Sequence, residues 1–268
     1  MTKLLTKLIK IYEDEVSLFL WSALLLFLIR SSNILFNNYA ETAFLKRFGV
    51  EYLPVIYVIN SISTFFIMGF LTGLMAKIRV SRMLVYMLLF CSATVAGMRF
   101  VVPMGFDMLY PVLYILKAQY EVLLGLLYWN LANDMFNTRQ SKRIFPLITA
   151  GGVMGGVIGS FCTPLLQKIV SMDNLLWIYV GTTFIGAVVV RRMGTVFPTL
   201  LLSDTKEKKV KKRASIGEEF KKILPLLKES ALVKILVMLT LLPNVVIPII
   251  NYQFNFAVDQ TYASEGAM

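Results

Sequence analysis

Apolar positions in this chain gather into long unbroken runs. Residues 16–37, 53–75, 83–102, 108–135, 144–170, 174–192 and 232–256 are each dominated by Leu, Ile, Val, Phe, Met and Gly. About 20 such residues, wound as an α-helix, cross roughly 30 Å of hydrocarbon. The pattern therefore predicts seven crossings. Hydrocarbon offers no partner for an exposed backbone amide, so a spanning segment must be a helix or part of a closed barrel. No ten-residue alternation of the barrel kind is present, and the expected fold class is an all-α membrane protein.

The polar positions organise what lies between these runs. Lys3, Lys7 and Lys10 against Leu4, Leu5, Leu8 and Ile9 make residues 1–15 an expected amphipathic helix on an anionic membrane surface. Glu13, Asp14 and Glu15 interrupt the run, and no small-residue cleavage site follows, so it does not read as a signal peptide. Lys77, Arg79 and Arg82, then Arg139, Lys142 and Arg143, then Arg191, Arg192 and the basic stretch 206–213 fall in alternate connections. Cytoplasmic loops carry the excess of Lys and Arg, which places the amino terminus in the cytoplasm. Residues 193–231 form a basic cytoplasmic linker, with Ile216, Phe220, Ile223, Leu224 and Leu227 along one helical face.

Residues 16–192 thus make a six-span bundle, and 232–268 carry one further span. Six spans, a basic connection and another span is the layout of a transporter with two six-helix halves. The expected partner of this bundle is a missing carboxy-terminal half of the same protein.

Composition agrees with lipid as the main solvent: hydrophobic residues make up 57%, charged residues 16%, and the mean hydropathy is +0.69. The formal net charge of +11 would suggest nucleic acid in a soluble protein. Here the basic residues lie in membrane-flanking connections with no RNP, zinc-finger or helix-turn-helix pattern, so nucleic acid is excluded as a partner. The absence of histidine removes the commonest general base and metal ligand. Cys91 and Cys162 lie far apart in apolar segments and read as small core residues. No metal, cofactor or enzymatic chemistry is expected.

An ionisable group inside a bilayer costs about 2.5–3.5 kcal/mol on insertion scales, so each needs a reason. Arg30, Lys117, Glu121 and Asp134 qualify. Lys117 and Glu121 stand four residues apart on one helix face, where they can pair with each other or line an aqueous cavity. Arg30, Asn33 and Asn37 form a polar stripe, and Asn130 adds an amide to the fourth span. The stripe either packs against other helices or faces a solute path. Gln119, offset from the charged face, reads as an interhelical hydrogen-bonding group. Gly151, Gly155 and Gly159 beside Gly152 and Gly156 form small-residue stripes for close helix packing; without a following Lys-Ser/Thr they are not a phosphate loop.

The string from Glu121 to Gly125, then Tyr128-Trp129 and Ala132-Asn133-Asp134, then Ser141-Lys142-Arg143 and Phe145-Pro146-Leu147 resembles the ATP/ADP translocase family of plastids and intracellular bacteria. Arg30, Ala40-Glu41 and Leu53-Pro54 resemble the end of that family's first span and its approach to the second. The resemblance covers about residues 16–190. It implies a major-facilitator-like helical bundle in a bacterial inner membrane and a secondary antiporter for a small anionic solute, a nucleotide or phosphorylated compound. Cationic side chains would hold the phosphates, and Glu121 would correspond to a glutamate implicated in transport. The substrate-binding or coupling residues expected on this basis are Arg30, Asn33, Asn37, Lys117, Glu121 and Asn130. The chain departs from the family pattern at Ala40-Glu41, where a basic-acidic pair is usual, and at Val122-Leu123-Leu124, which lacks a tryptophan. The competing expectation is a membrane anchor or sensor coupled to a cytosolic regulatory domain.

Overall fold

A computed structural model describes residues 11–75, 77–198 and 230–261. Among them no strand occurs and seven long helices do: α1 (Glu13–Phe48), α2 (Leu53–Met75), α3 (Val80–Val101), α4 (Leu109–Met135), α5 (Thr138–Ile169), α6 (Leu175–Val196) and α7 (Ala231–Thr261). The all-α membrane class holds. Six of the helical segments are long and apolar enough to cross a bilayer; α4 falls outside that set. Its polar residues explain why: Lys117 and Gln119 are buried against other helices, and a helix surrounded by protein need not be apolar.

Most helix ends lie within a few residues of the expected spans, but α1 is 36 residues long, about 54 Å at 1.5 Å per residue. The apolar run ends near residue 37, and the helix continues because its next polar side chains find partners on neighbouring helices. The Asn38 amide donates to Thr163 on α5 at 3.0 Å, and Glu41 accepts from Lys117 on α4 at 2.9 Å. Acidic residues fill the first turn of α1 and Lys46 and Arg47 the last, each sign favoured by the helix dipole. Gly49, at φ 79°, turns the chain out of the helix in a conformation that costs glycine little.

Helix α1 is the spine of the bundle, packed against α4, α5 and α6, while α3 lies between α4 and α6 and α2 flanks α4. An aromatic layer joins these elements: the Phe36 ring lies 4.8 Å from Tyr179 and 6.2 Å from Tyr120, centroid to centroid. The Tyr128 hydroxyl donates to the Ser22 carbonyl at 3.0 Å. Outward faces carry bare apolar side chains, Phe65, Phe66 and Phe70 on α2 among them, as a lipid-facing surface requires.

The two ends of the bundle are tied differently. Buried Glu15 accepts from Arg143 at 3.1 Å and Gln140 at 3.0 Å, joining the starts of α1 and α5. At the opposite end Tyr39 donates to Asp173 and Arg99 to Asn174, both just before α6. Of the expected amphipathic helix, residues 1–10 lie outside the described residues, as do 199–229 of the linker; the first linker positions belong instead to the end of α6.

Candidate functional site

The long α1 carries Arg30, Asn37 and Glu41 past the face of α4 that presents Lys117 and Glu121. Two ion pairs join the helices. Arg30 Nη1 lies 2.9 Å from Glu121 Oε1, and Lys117 Nζ lies 2.9 Å from Glu41 Oε2. Asn37 completes the first pair by donating to Glu121 Oε2 at 3.0 Å. Asn255 of α7 completes the second by donating to Glu41 Oε1 at 2.8 Å.

Lys117 and Glu121 therefore share a helix face without pairing with each other. Each finds its counter-charge on α1, where the reach across the interface makes a charge-assisted bond of ideal length. The pairs differ in access. Arg30 and Glu121 side chains are 45% and 39% exposed, against 9% for Lys117 and 32% for Glu41. An incoming anion can reach Arg30 directly; the Lys117 ammonium sits behind Glu41 and over the Tyr114 ring at 4.0 Å.

Two cavities follow the seam between α1 and α5. The smaller, about 240 Å³, is bounded by Arg30, Asn33, Glu121, Trp129 and the Gly152 and Gly156 positions. Asn33 is buried, and its Oδ1 has no hydrogen-bond partner among the described residues, so it is placed to accept from water or a solute. The larger, about 460 Å³, is lined by Asn38, Glu41, Thr42, Gln167, Asn251 and Phe254, with other residues of α1, α5 and α7. Among the described residues it offers amides, hydroxyls and one carboxylate but no cation.

Arg30, Asn33, Asn37 and Glu121 thus come together, with Lys117 one helical turn away. Asn130 does not join them: its amide donates to the Leu126 carbonyl of its own helix at 2.8 Å. Gln119 donates instead to Asn60 Oδ1 at 2.6 Å and Thr64 at 2.8 Å on α2. Gly152, Gly155 and Gly159 pack against Leu26, Phe27 and Ser31 of α1, while Gly151 meets Ala23 and Gly156 is looser. Among the described residues no cluster suited to a metal ion occurs.

Glu41 and Asn255 were absent from the expected set. The signal was available, since 30, 33, 37 and 41 continue one helical stripe; it was cut short where the apolar run stops. Lys117 also bears on the departure at Ala40-Glu41, because the carboxylate that lacks its usual neighbouring cation receives one from α4.

Removing Lys117 while keeping Glu41 leaves a carboxylate supported by Asn255 alone. Lys117→Met is expected to cost about 1–2 kcal/mol, less than a fully buried pair because the Glu41 left behind is 32% exposed. Adding Glu41→Gln should recover most of that loss, as thermal unfolding of the purified variants will show.

In a comparison with known families, the family described as TLC ATP/ADP transporter matches residues 55–267. No curated protein and no solved structure matches.

Proposed function

The chain belongs to the TLC ATP/ADP transporter family, and from that premise we propose that it exchanges nucleotides across a bacterial inner membrane by alternating access, its amino terminus in the cytoplasm. The carrying observation is the Arg30–Glu121 pair, an accessible cation held beside a cavity in a multi-pass helical bundle. A phosphate group takes Arg30 from Glu121, exchanging one charge-assisted bond for another. The uncharged base and ribose then face the amides and hydroxyls of the larger cavity. Arg30 and Asn38 are eight residues apart on α1, about 12 Å along the axis, a separation in keeping with the two ends of one nucleotide.

The Lys117–Glu41–Asn255 relay supports the exchange step, because it couples the charge on α4 to α7 through α1. Pro243 and Pro248 within α7 remove backbone hydrogen bonds and permit that helix to bend. The orientation rests on the basic residues around 79–82, 139–143 and 191–192, which belong to alternate connections.

Proteoliposomes containing the full-length protein, loaded with ADP and offered labelled ATP, test the proposal. Uptake that depends on internal nucleotide is expected. No counter-exchange across a panel of nucleotides would dismiss the substrate assignment.

A further inference from the structure

The cavity of about 460 Å³ between α1, α5 and α7 has a wall unlike that of the Arg30 cavity. Among the described residues no cation lines it, which suits the uncharged part of a solute. Both oxygens of its carboxylate, Glu41, already accept, from Lys117 at 2.9 Å and from Asn255 at 2.8 Å. Two side-chain amides keep their hydrogen-bonding capacity. Gln167 on α5 is half-buried and Asn251 on α7 is exposed. Both line the cavity, and among the described residues neither has a hydrogen-bond partner. An amide in a membrane-crossing helix is costly without one, so both call for water or a solute.

Phe254 belongs to the same wall and is 66% exposed. It stands three residues from Asn251 in α7, so ring and amide share a helix face. The bond from Asn255 to Glu41 ties α7 to α1 and sets that face against the cavity. Lipid contact alone accounts for an exposed phenylalanine, but not for one that shares its face with an asparagine and its cavity with Gln167. A ring beside free amides suits a flat solute with polar edges, which stacks on the ring and hydrogen-bonds at its rim.

We propose that Phe254, Asn251 and Gln167 hold the base of the exchanged nucleotide, an inference that rests on the nucleotide reading above, and that they accept either purine. Stacking on Phe254 favours the two-ring purines over the smaller pyrimidines, because the larger π-face covers more of the ring. The amides do not choose between adenine and guanine. A carboxamide carries donors and an acceptor and can turn over about its last bond. It therefore matches the amine beside N1 of adenine and, reversed, the carbonyl beside N1–H of guanine. A free carboxylate would select guanine by accepting from N1–H and the 2-amino group together, but Glu41 is occupied. The solute class is purine nucleotides, wider than ATP and ADP alone.

Binding to the purified full-length protein, read as the rise in its unfolding temperature over a series of ligand concentrations, tests this. ATP and GTP are expected to bind equally and UTP about tenfold more weakly. Phe254→Leu should weaken ATP and GTP about tenfold and leave inorganic tripolyphosphate, which has no base, unchanged; Phe254→Trp should keep purine binding. The side chain is exposed, so both variants should fold, and a monodisperse size-exclusion profile verifies it. Gln167→Glu supplies the missing carboxylate and should turn the preference toward GTP by about fivefold. Equal weakening of tripolyphosphate in Phe254→Leu, or base preferences unchanged in both Phe254→Leu and Gln167→Glu, would overturn the base site and leave nucleotide exchange standing. Binding of no nucleotide by the unaltered protein would overturn both.

Discussion

Replacing Glu121 by glutamine lowers the maximal rate of nucleotide exchange on the order of tenfold, about 1.4 kcal/mol of barrier, without raising the concentration for half-maximal exchange. The asymmetry follows from what the carboxylate does. Its two oxygens hold Arg30 and Asn37 at 2.9 and 3.0 Å, so it competes with phosphate for the same guanidinium. A carrier must release its solute as well as bind it, and the competitor that makes binding weaker makes release possible. Glutamine keeps the shape but loses the charge, leaving Arg30 to hold the phosphate unopposed. Initial rates in proteoliposomes over a range of ATP concentrations separate the two constants. Full exchange by Glu121→Gln would remove this residue from the mechanism.

The second large effect is structural and is expected at Gly155. A Cβ built there would lie 2.6 Å from the Phe27 carbonyl oxygen and 3.0 Å from its Cα. Both are backbone atoms, so no rotamer change relieves the clash, and α1 must move away from α5. Overpacking of a tight interface costs about 1–3 kcal/mol even where side chains can shift, and Gly155→Ala should reach or exceed the upper end of that range. Because α1 also carries Arg30 and Glu41, exchange should be lost with the packing. Neighbouring glycines grade the response. At Gly152 the contact is the Leu26 side chain, at 2.7 Å, which can rotate; at Gly156 the nearest atom is 4.0 Å away. Thermal unfolding should therefore rank Gly155→Ala as most damaging, Gly152→Ala as milder and Gly156→Ala as nearly neutral. An equal response at all three positions would contradict close backbone packing at this crossing.

The helices were legible because lipid imposes a demand that apolar runs answer directly. Spans such as 53–75 and 108–135 lie within a residue of α2 and α4. The far end of α1 was not legible, since Asn37, Asn38 and Glu41 look like the exit from a membrane when read alone. Their partners Glu121, Thr163 and Lys117 lie 84, 125 and 76 positions away, and no local pattern encodes such contacts.

The charged site was half legible for the same reason. Helical spacing put Lys117 and Glu121 on one face, and bilayer cost marked them and Arg30 as groups needing a partner. Which charge met which depended on how α1 and α4 cross. The four-residue spacing within α4 allowed either a local pair or a shared cavity-lining face, and the helix crossing supplies two cross-helix pairs. The glycine stripe was readable as packing, but its target, the backbone of α1 around Phe27, appears only once the helices are set side by side.

Whether the Arg30–Glu121 pair acts on the solute or only cancels its own charge is the point on which the proposal turns. Exchange by Arg30→Gln/Glu121→Gln, measured in proteoliposomes beside the unaltered protein, separates the two. Both charges are gone in that variant, so nothing remains uncompensated and the bundle should stay folded. The proposal expects a folded protein that does not exchange nucleotides. A neutral pair that restored exchange to the unaltered rate would contradict it.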